Sequence, residues 1–189
     1  MNWYKKSKNS SIKFVLVHGW DGGPDKDWFP WLAKELGKKG FGVINMSMPS
    51  PSTPTKNQWV KHLQDHIEPL SNTIFVAHSL GCICVLRYLE SIDKKIKFAI
   101  FVAPYIENEK QYKTVSSFFH GDINWKKIKN NCPNIYTICS DNDPFVSVSQ
   151  CSEIEKRFGS GCKIVKGKGH FDSSDGVEKI PEIIDILQG

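Results

Sequence analysis

Three side chains able to run acyl-transfer chemistry follow one another along this sequence in the order Ser79, Asp143, His170. A serine hydroxyl is a weak nucleophile until a base takes its proton, and an imidazole does so best when a carboxylate holds its tautomer. Ser79 has the sharpest local signature. An apolar run, Ile74-Phe75-Val76-Ala77, leads through His78 into Ser79-Leu80-Gly81, and a helical pattern follows at once. That is the strand–turn–helix setting of a nucleophile elbow, whose tight turn tolerates only small residues two before and two after the serine. Ala77 and Gly81 meet this demand, Ala77 standing where glycine is more usual. A helix starting after Ser79 would aim its free N–H groups and positive dipole end at the serine oxygen, which makes the Leu80 N–H an oxyanion donor. Taken alone, the segment also reads as an ordinary helix with an N-cap serine.

The partners remove that ambiguity. Ser140-Asp141-Asn142-Asp143-Pro144-Phe145-Val146 is a turn cluster with two aspartates, placed after one strand-like run. Gly167-Lys168-Gly169-His170-Phe171, a glycine-rich turn presenting a histidine, follows the next. Asp143 is preferred to Asp141 because Pro144 stiffens the turn beside it and Phe145-Val146 can pack back onto the body. A fourth element, His18-Gly19-Trp20-Asp21-Gly22-Gly23, follows the first strand-like run. Its glycines allow a close backbone approach, and the Trp20 N–H is the expected second oxyanion donor. His18 precedes the nucleophile and is expected to shape this loop rather than act as base.

Those groups must be carried by elements that end at one edge. Strand candidates are Ile12–Val17, Gly42–Met46, Thr73–Ala77, Phe98–Val102, Asn134–Cys139 and Cys162–Lys166. Their near-continuous apolar character suits strands covered on both faces, as in a parallel sheet. Helix candidates lie between them at about Trp31–Lys39, Lys56–Pro69, Leu80–Ser91, Val148–Phe158 and Val177–Leu187, with Thr55 and Gln58 forming a capping-box signature. The alternation predicts an α/β fold, a three-layer αβα sandwich around a mainly parallel six-stranded sheet, in one domain spanning residues 1–189. Two stretches break it: the proline-rich loop Met48–Pro54, and residues 104–131, which show no clear helical period and carry Tyr105, Tyr112, Phe118, Phe119 and Trp125. Both follow strand C-terminal ends, where open α/β sheets bind ligands, and the longer one is expected to be a short lid-like insertion.

Composition narrows the partners. The net charge of +5 over 189 residues is spread as lysine doublets, and Arg87 and Arg157 are the sole arginines, so nucleic-acid recognition through arginine forks is not expected. No apolar run is long enough to span a membrane, and the first eleven residues lack the apolar core of a secretory signal, which points to a cytoplasmic protein. Cys82, Cys84, Cys132, Cys139, Cys151 and Cys162 are accordingly expected as buried, reduced thiols. His62 and His66 have helical spacing for a metal, but no third ligand accompanies them; no metal and no cofactor are expected. Trp28, Phe29 and Trp31 read as helix–sheet packing, and Cys82 as a buried thiol rather than a second nucleophile.

His18-Gly19-Trp20, Trp28-Phe29-Pro30-Trp31-Leu32, Met48-Pro49, Ala77-His78-Ser79-Leu80-Gly81-Cys82 with Arg87-Tyr88, Asp143-Pro144-Phe145 and Gly169-His170-Phe171 recur in this order in a known group. Across nearly its whole length the chain resembles the YdeN-type and retinoblastoma-binding-protein-type serine hydrolases, a compact branch of the α/β-hydrolase superfamily. The resemblance implies a Ser79, Asp143 and His170 triad, a sheet without the antiparallel start of larger relatives, and a modest lid. The mammalian member's Leu-x-Cys-x-Glu motif for retinoblastoma-protein binding is absent, since Leu80-Gly81-Cys82-Ile83-Cys84 ends in cysteine. The expected activity is cleavage of an ester, thioester or amide in a small acyl substrate, carboxylic esters foremost. An acyltransferase would share every catalytic residue, and a non-catalytic binding scaffold would share the fold.

Overall fold

The computed structural model describes residues 12–188; the first eleven residues, expected not to be a secretory signal, lie outside them. Six strands form one sheet in the order β2-β1-β3-β4-β5-β6, with every neighbouring pair parallel. They are β1 (Lys13–Val17), β2 (Gly42–Asn45), β3 (Thr73–His78), β4 (Phe98–Val102), β5 (Ile135–Ser140) and β6 (Cys162–Val165). Parallel neighbours need crossovers, supplied by α1 (Phe29–Lys38), α2 (Lys56–His66), α3 (Leu80–Ser91), α4 (Trp125–Asn131) and α5 (Val148–Phe158), with α6 (Pro181–Gln188) after β6. The chain runs outward from β1 to β2 and then reverses to β3 on the other side of β1. This reversal opens a crevice beyond the C-terminal ends of β1 and β3, where His18-Gly19 and Ser79 sit.

Alternation along the central strands divides the core into two layers. Phe14, Leu16, Ile74, Val76, Phe98 and Ile100 pack with Phe29, Leu32 and Leu36 of α1 and Ile183 and Leu187 of α6. On the other face Val15, Val17, Phe75, Ala77, Ala99 and Phe101 meet α2 through α5. α3 is buried from Leu80 to Leu89, so the helix that follows Ser79 is enclosed rather than amphipathic. Thr55 caps α2 as expected, its hydroxyl oxygen accepting from the Gln58 N–H while the hydroxyl donates to Gln58 Oε1. No helix among the described residues is long and apolar enough to cross a membrane.

Three expectations need correction. The stretch 104–131 is not irregular throughout: a 3₁₀ turn occupies Lys113–Phe119, and α4 follows it. Seven residues make too few turns for a period to show in sequence. The last helix begins at Pro181 rather than Val177, and proline suits the first turn, where no intrahelical N–H bond is required. Finally, Cys139 and Cys151 are not free thiols but a disulfide, with Cα atoms 6.6 Å apart. α5 lies over β5 and brings them face to face, which linear spacing does not reveal.

Arg87 organises the far side of that excursion. Buried on α3, its guanidinium donates to the carbonyls of Phe118, His120, Gly121 and Asp122 and pairs with Glu90, which also accepts from the Asn124 N–H. Phe118 is thereby seated in the core against Trp59, ring centroids 5.6 Å apart, while Phe119 stays half-buried beside Tyr105. Phe118→Ala should therefore cost about 3–5 kcal/mol, read as a shift in urea midpoint at unchanged slope. Tyr112→Ala, at a partly exposed position, should move the midpoint far less.

Candidate functional site

The site begins with a strained residue. Ser79 joins β3 to α3 at φ 51° and ψ −121°, a conformation costing on the order of 1–3 kcal/mol for a residue with a Cβ. Three backbone bonds stabilise it: Ser79 N–H donates to Val102 O at 3.0 Å, and Ser79 O accepts from Cys82 N–H at 2.9 Å and Tyr105 N–H at 3.3 Å. Gly81 permits the turn, because a Cβ there would stand 2.6 Å from the carbonyl oxygens of Val17 and His18. The helix's first turn thus rests directly on the end of β1. Burial pushes the Cys82 thiol up, and the thiol donates to Val102 O at 3.7 Å, the carbonyl that also takes the Ser79 N–H.

Two loops from neighbouring strand ends meet the serine. His170 Nε2 lies 2.9 Å from Ser79 Oγ, and His170 Nδ1 lies 2.8 Å from Asp143 Oδ2. An ionised carboxylate can only accept, so Nδ1 carries the proton and the Nε2 lone pair faces the serine hydroxyl. Asp143 Oδ1 accepts from the Phe145 and Val146 N–H groups at 2.8 and 3.0 Å, which leaves its side chain 2% exposed with both oxygens engaged. Asp141 serves a different purpose, accepting the Gly167 N–H through Oδ1 at 2.8 Å. Ser140 Oγ accepts from the Lys168 N–H and Asn142 Oδ1 from the Gly169 N–H, so the two loops are joined along their length.

The His18 loop closes the third side. His18 is buried; its Nδ1–H donates to Gly19 O at 2.8 Å, and its Nε2 accepts from the Met48 N–H at 3.1 Å. With one nitrogen donating and the other accepting, the ring is neutral, and burial lowers its pKa. Trp59 Nε1–H donates to Pro49 O and Trp20 Nε1–H to Ser52 O, so the proline-rich loop is fastened at three points. Gly19 is close enough that a Cβ there would lie 3.0 Å from Ser79 Cβ. The backbones of Trp20 and Leu80 therefore flank Ser79, and Leu80 is the first residue of its helix, with no carbonyl one turn back to take its N–H.

Several supporting residues escaped the sequence reading. The Asp175 carboxylate accepts the His170 N–H at 2.6 Å, and a side chain at Gly169 would collide with that carboxylate. His78 Nε2–H donates to His170 O at 2.7 Å, so the His170 peptide is held at both ends. Gln150 Oε1 accepts the N–H groups of Ile106 and Glu107, tying α5 to the segment after β4. An aspartate shortly after a histidine loop is a usable cue for Asp175; Gln150 has none. Trp28 and Phe29 are core residues, stacked at 4.1 Å; Trp28 meets the His78 ring edge-on at 5.9 Å, and neither lines the cleft. His66 Nδ1 donates to the His62 carbonyl at 2.9 Å, and the two rings lie against each other with centroids 4.1 Å apart.

Ser79 and His170 open onto a cleft of about 330 Å³ walled by Trp20, Leu80, Tyr105, Tyr112, Phe145 and Val146. On their other side lies a more polar hollow of about 290 Å³ that includes Asp27, Ser173 and Ser174. The Phe145 ring meets the His170 imidazole edge-on at 5.1 Å and keeps that flank apolar.

Burial, reinforced by the neighbouring His170, pushes His78 down to about 4. Between that value and the ordinary 6.5 the unfolded chain binds more protons than the folded one, so stability falls as pH falls through this window. His18, lowered by burial, acts in the same direction. Urea midpoints should thus drop between pH 7 and pH 5, and His78→Gln, which keeps an N–H for the His170 carbonyl, should flatten that drop. An equal drop in the variant would show that His78 does not contribute.

Comparison with known proteins gives the chain's family and fold. The serine hydrolase family model matches residues 14–189. Serine hydrolase RBBP9 of Rattus norvegicus is 30% identical over 187 residues, covering 94% of this chain and 97% of that protein. YdeN of Bacillus subtilis (strain 168) is 29% identical over 175 residues, covering 91% and 92%. The crystal structure of the B. subtilis ydeN gene product superposes with a TM-score of 0.87 at 27% identity, over 93% of this chain and 96% of that one. The chain has the α/β-hydrolase fold and belongs to the serine hydrolase family.

Proposed function

We propose that this hydrolase cleaves small carboxylic esters through an acyl-serine intermediate, with Ser79 as nucleophile, His170 as general base and Asp143 as the residue that orients it. The observation carrying this reading is the unbroken hydrogen-bond chain from Asp143 Oδ2 through His170 to Ser79 Oγ at the mouth of an apolar cleft. His170 Nε2 takes the hydroxyl proton as Oγ attacks the carbonyl carbon. The Trp20 and Leu80 N–H groups receive the oxyanion, in a turn already strained into place so that little reorganisation is needed. His170 then passes its proton to the leaving alcohol, and water repeats the sequence on the acyl-serine. The residues supply nucleophile, base and oxyanion donors between them, so the scheme draws on no cofactor.

The cleft's size supports short acyl groups, since it sits at the lower end of the roughly 300–1,000 Å³ typical of small-molecule sites. In a one-domain reading of the chain, Tyr105 and Tyr112 are the substrate-facing part of a lid at 104–131, and Phe118 is its anchor. Cleavage of a p-nitrophenyl ester series should fall off as the acyl chain lengthens; a preference for long chains would contradict this assignment of the cleft.

A fluorophosphonate should label the wild-type protein at Ser79 and leave Ser79→Ala unlabelled, and labelling of the alanine variant at equal stoichiometry would refute the nucleophile. Asp143→Asn should reduce kcat by about 10⁴-fold, the loss seen when the corresponding change holds the base of a serine protease in the wrong tautomer. Asp141→Asn keeps an oxygen for the Gly167 N–H and should retain most activity. The reverse ranking would exchange their roles.

A further inference from the structure

Three cysteine sulfurs converge on the face of the sheet covered by α5, outside the site described above. Cys139 is the penultimate residue of β5, Cys151 lies in the first turns of α5, and Cys162 opens β6. The register pairs Thr137 with Cys162 and Cys139 with Ile164, so Cys139 and Cys162 are diagonal neighbours on one face. Cys139 and Cys151 form the disulfide, Cys162 is free, and its sulfur is 3.7 Å from that of Cys139. All three sulfurs lie within 4.8 Å of one another. Cys139 and Cys151 are 3% and 0% exposed, whereas Cys162 is half-buried on the sheet's edge strand, beside the exposed Lys163 and Ile164.

Thiol–disulfide exchange requires a thiolate to reach a disulfide sulfur, and its rate depends on both thiolate fraction and access. Burial pushes the Cys162 thiol up, so its advantage here is access. A thiol in solution is shut out from both bonded sulfurs. Cys162 already touches one of them and faces solvent in part.

We propose that Cys162 is the relay of a thiol–disulfide exchange site through which small thiols such as glutathione reduce the buried Cys139–Cys151 bond. The Cys162 thiolate attacks Cys139 Sγ, forming a Cys139–Cys162 disulfide and expelling the Cys151 thiolate, which takes up a proton. A small-thiol anion then attacks Cys162 Sγ, leaving a mixed disulfide on Cys162 and a thiolate on Cys139. A second small thiol attacks the mixed disulfide, releasing the oxidised small-molecule disulfide and restoring the Cys162 thiolate. Two small thiols are oxidised, and two electrons and two protons pass to Cys139 and Cys151. The site stands at the root of the acid-bearing loop, because Cys139 and Cys151 bracket Ser140–Gln150, which contains Asp143.

The test is a time course on protein purified without reductant. It is incubated with excess reduced glutathione, acid-quenched, alkylated with a maleimide and mapped by peptide mass. The wild type should start with Cys139–Cys151, pass through Cys139–Cys162 and glutathionylated Cys162, and end reduced. Cys162→Ser and Cys162→Ala should slow loss of the Cys139–Cys151 bond by about tenfold or more. Loss of the fold would expose the disulfide and speed its reduction, so misfolding cannot imitate the expected slowing. Reduction of both variants at the wild-type rate, glutathione appearing first on Cys139 or Cys151, or absence of the Cys139–Cys151 bond from the starting protein would each overturn the proposal.

Discussion

Ser79 occupies a backbone conformation that a side-chain-bearing residue avoids, and the neighbouring strands hold it there. Its N–H is taken by Val102 at the end of β4 and its carbonyl by Cys82 and Tyr105. On the β1 side, Gly81 lets α3 settle onto the carbonyls of Val17 and His18. The strain lifts Oγ out of the sheet toward the crevice, and strong support from both flanks is what makes such a residue persist. Because every strand runs the same way, the loops after β1, β3, β5 and β6 all emerge beside this one turn. The remaining geometry is an answer to where Ser79 has been placed.

That answer is given mainly by side chains accepting from backbone N–H groups. Along Ser140 to Asp143, four consecutive side chains each take a role: Ser140 holds Lys168, Asp141 holds Gly167, Asn142 holds Gly169, and Asp143 meets the His170 ring. An Asp- and Asn-rich loop and a glycine-rich loop are joined into one body, with Asp175 and His78 securing the His170 peptide from either side. Hydrogen bonds of this kind contribute about 0.5–1.5 kcal/mol each, modest singly, but together they fix a ring to within the tolerance that proton transfer demands.

What could be read in the sequence was what depends on near neighbours along the chain. The apolar run into Ser79, the small residues flanking it, and the Asp-Pro and Gly-His turns after successive strands are each complete within a few residues. The alternation of β-branched runs and helical segments announced the parallel sheet for the same reason. Arg87, Gln150 and the Cys139–Cys151 bond were illegible because their partners lie on other elements and leave no periodic trace. Residues 113–131 failed differently: a 3₁₀ turn and a two-turn helix are too short to establish a period, and Phe118 looks the same in sequence whether it lines a cleft or a core. Even the choice between Asp141 and Asp143 rested only on Pro144 and the apolar Phe145-Val146 after it, although both aspartates are engaged, Asp141 with backbone and Asp143 with the imidazole.

The contact of Gly81 with β1 has a consequence for how such a molecule can change over evolutionary time. The N–H groups proposed to receive the oxyanion come from Trp20 and Leu80, each within three residues of a place where main chain rests on main chain. Their spacing is set by peptide groups that are common to every amino acid at those positions, not by side chains that substitution could enlarge or trim. The cleft walls are the opposite case: Tyr105, Tyr112, Phe145 and Val146 line it, and their side chains differ in size and shape from any replacement. Substrate preference can therefore drift by single replacements in the walls while the floor keeps its dimensions, and a lineage can exchange one substrate for another without rebuilding the part beneath.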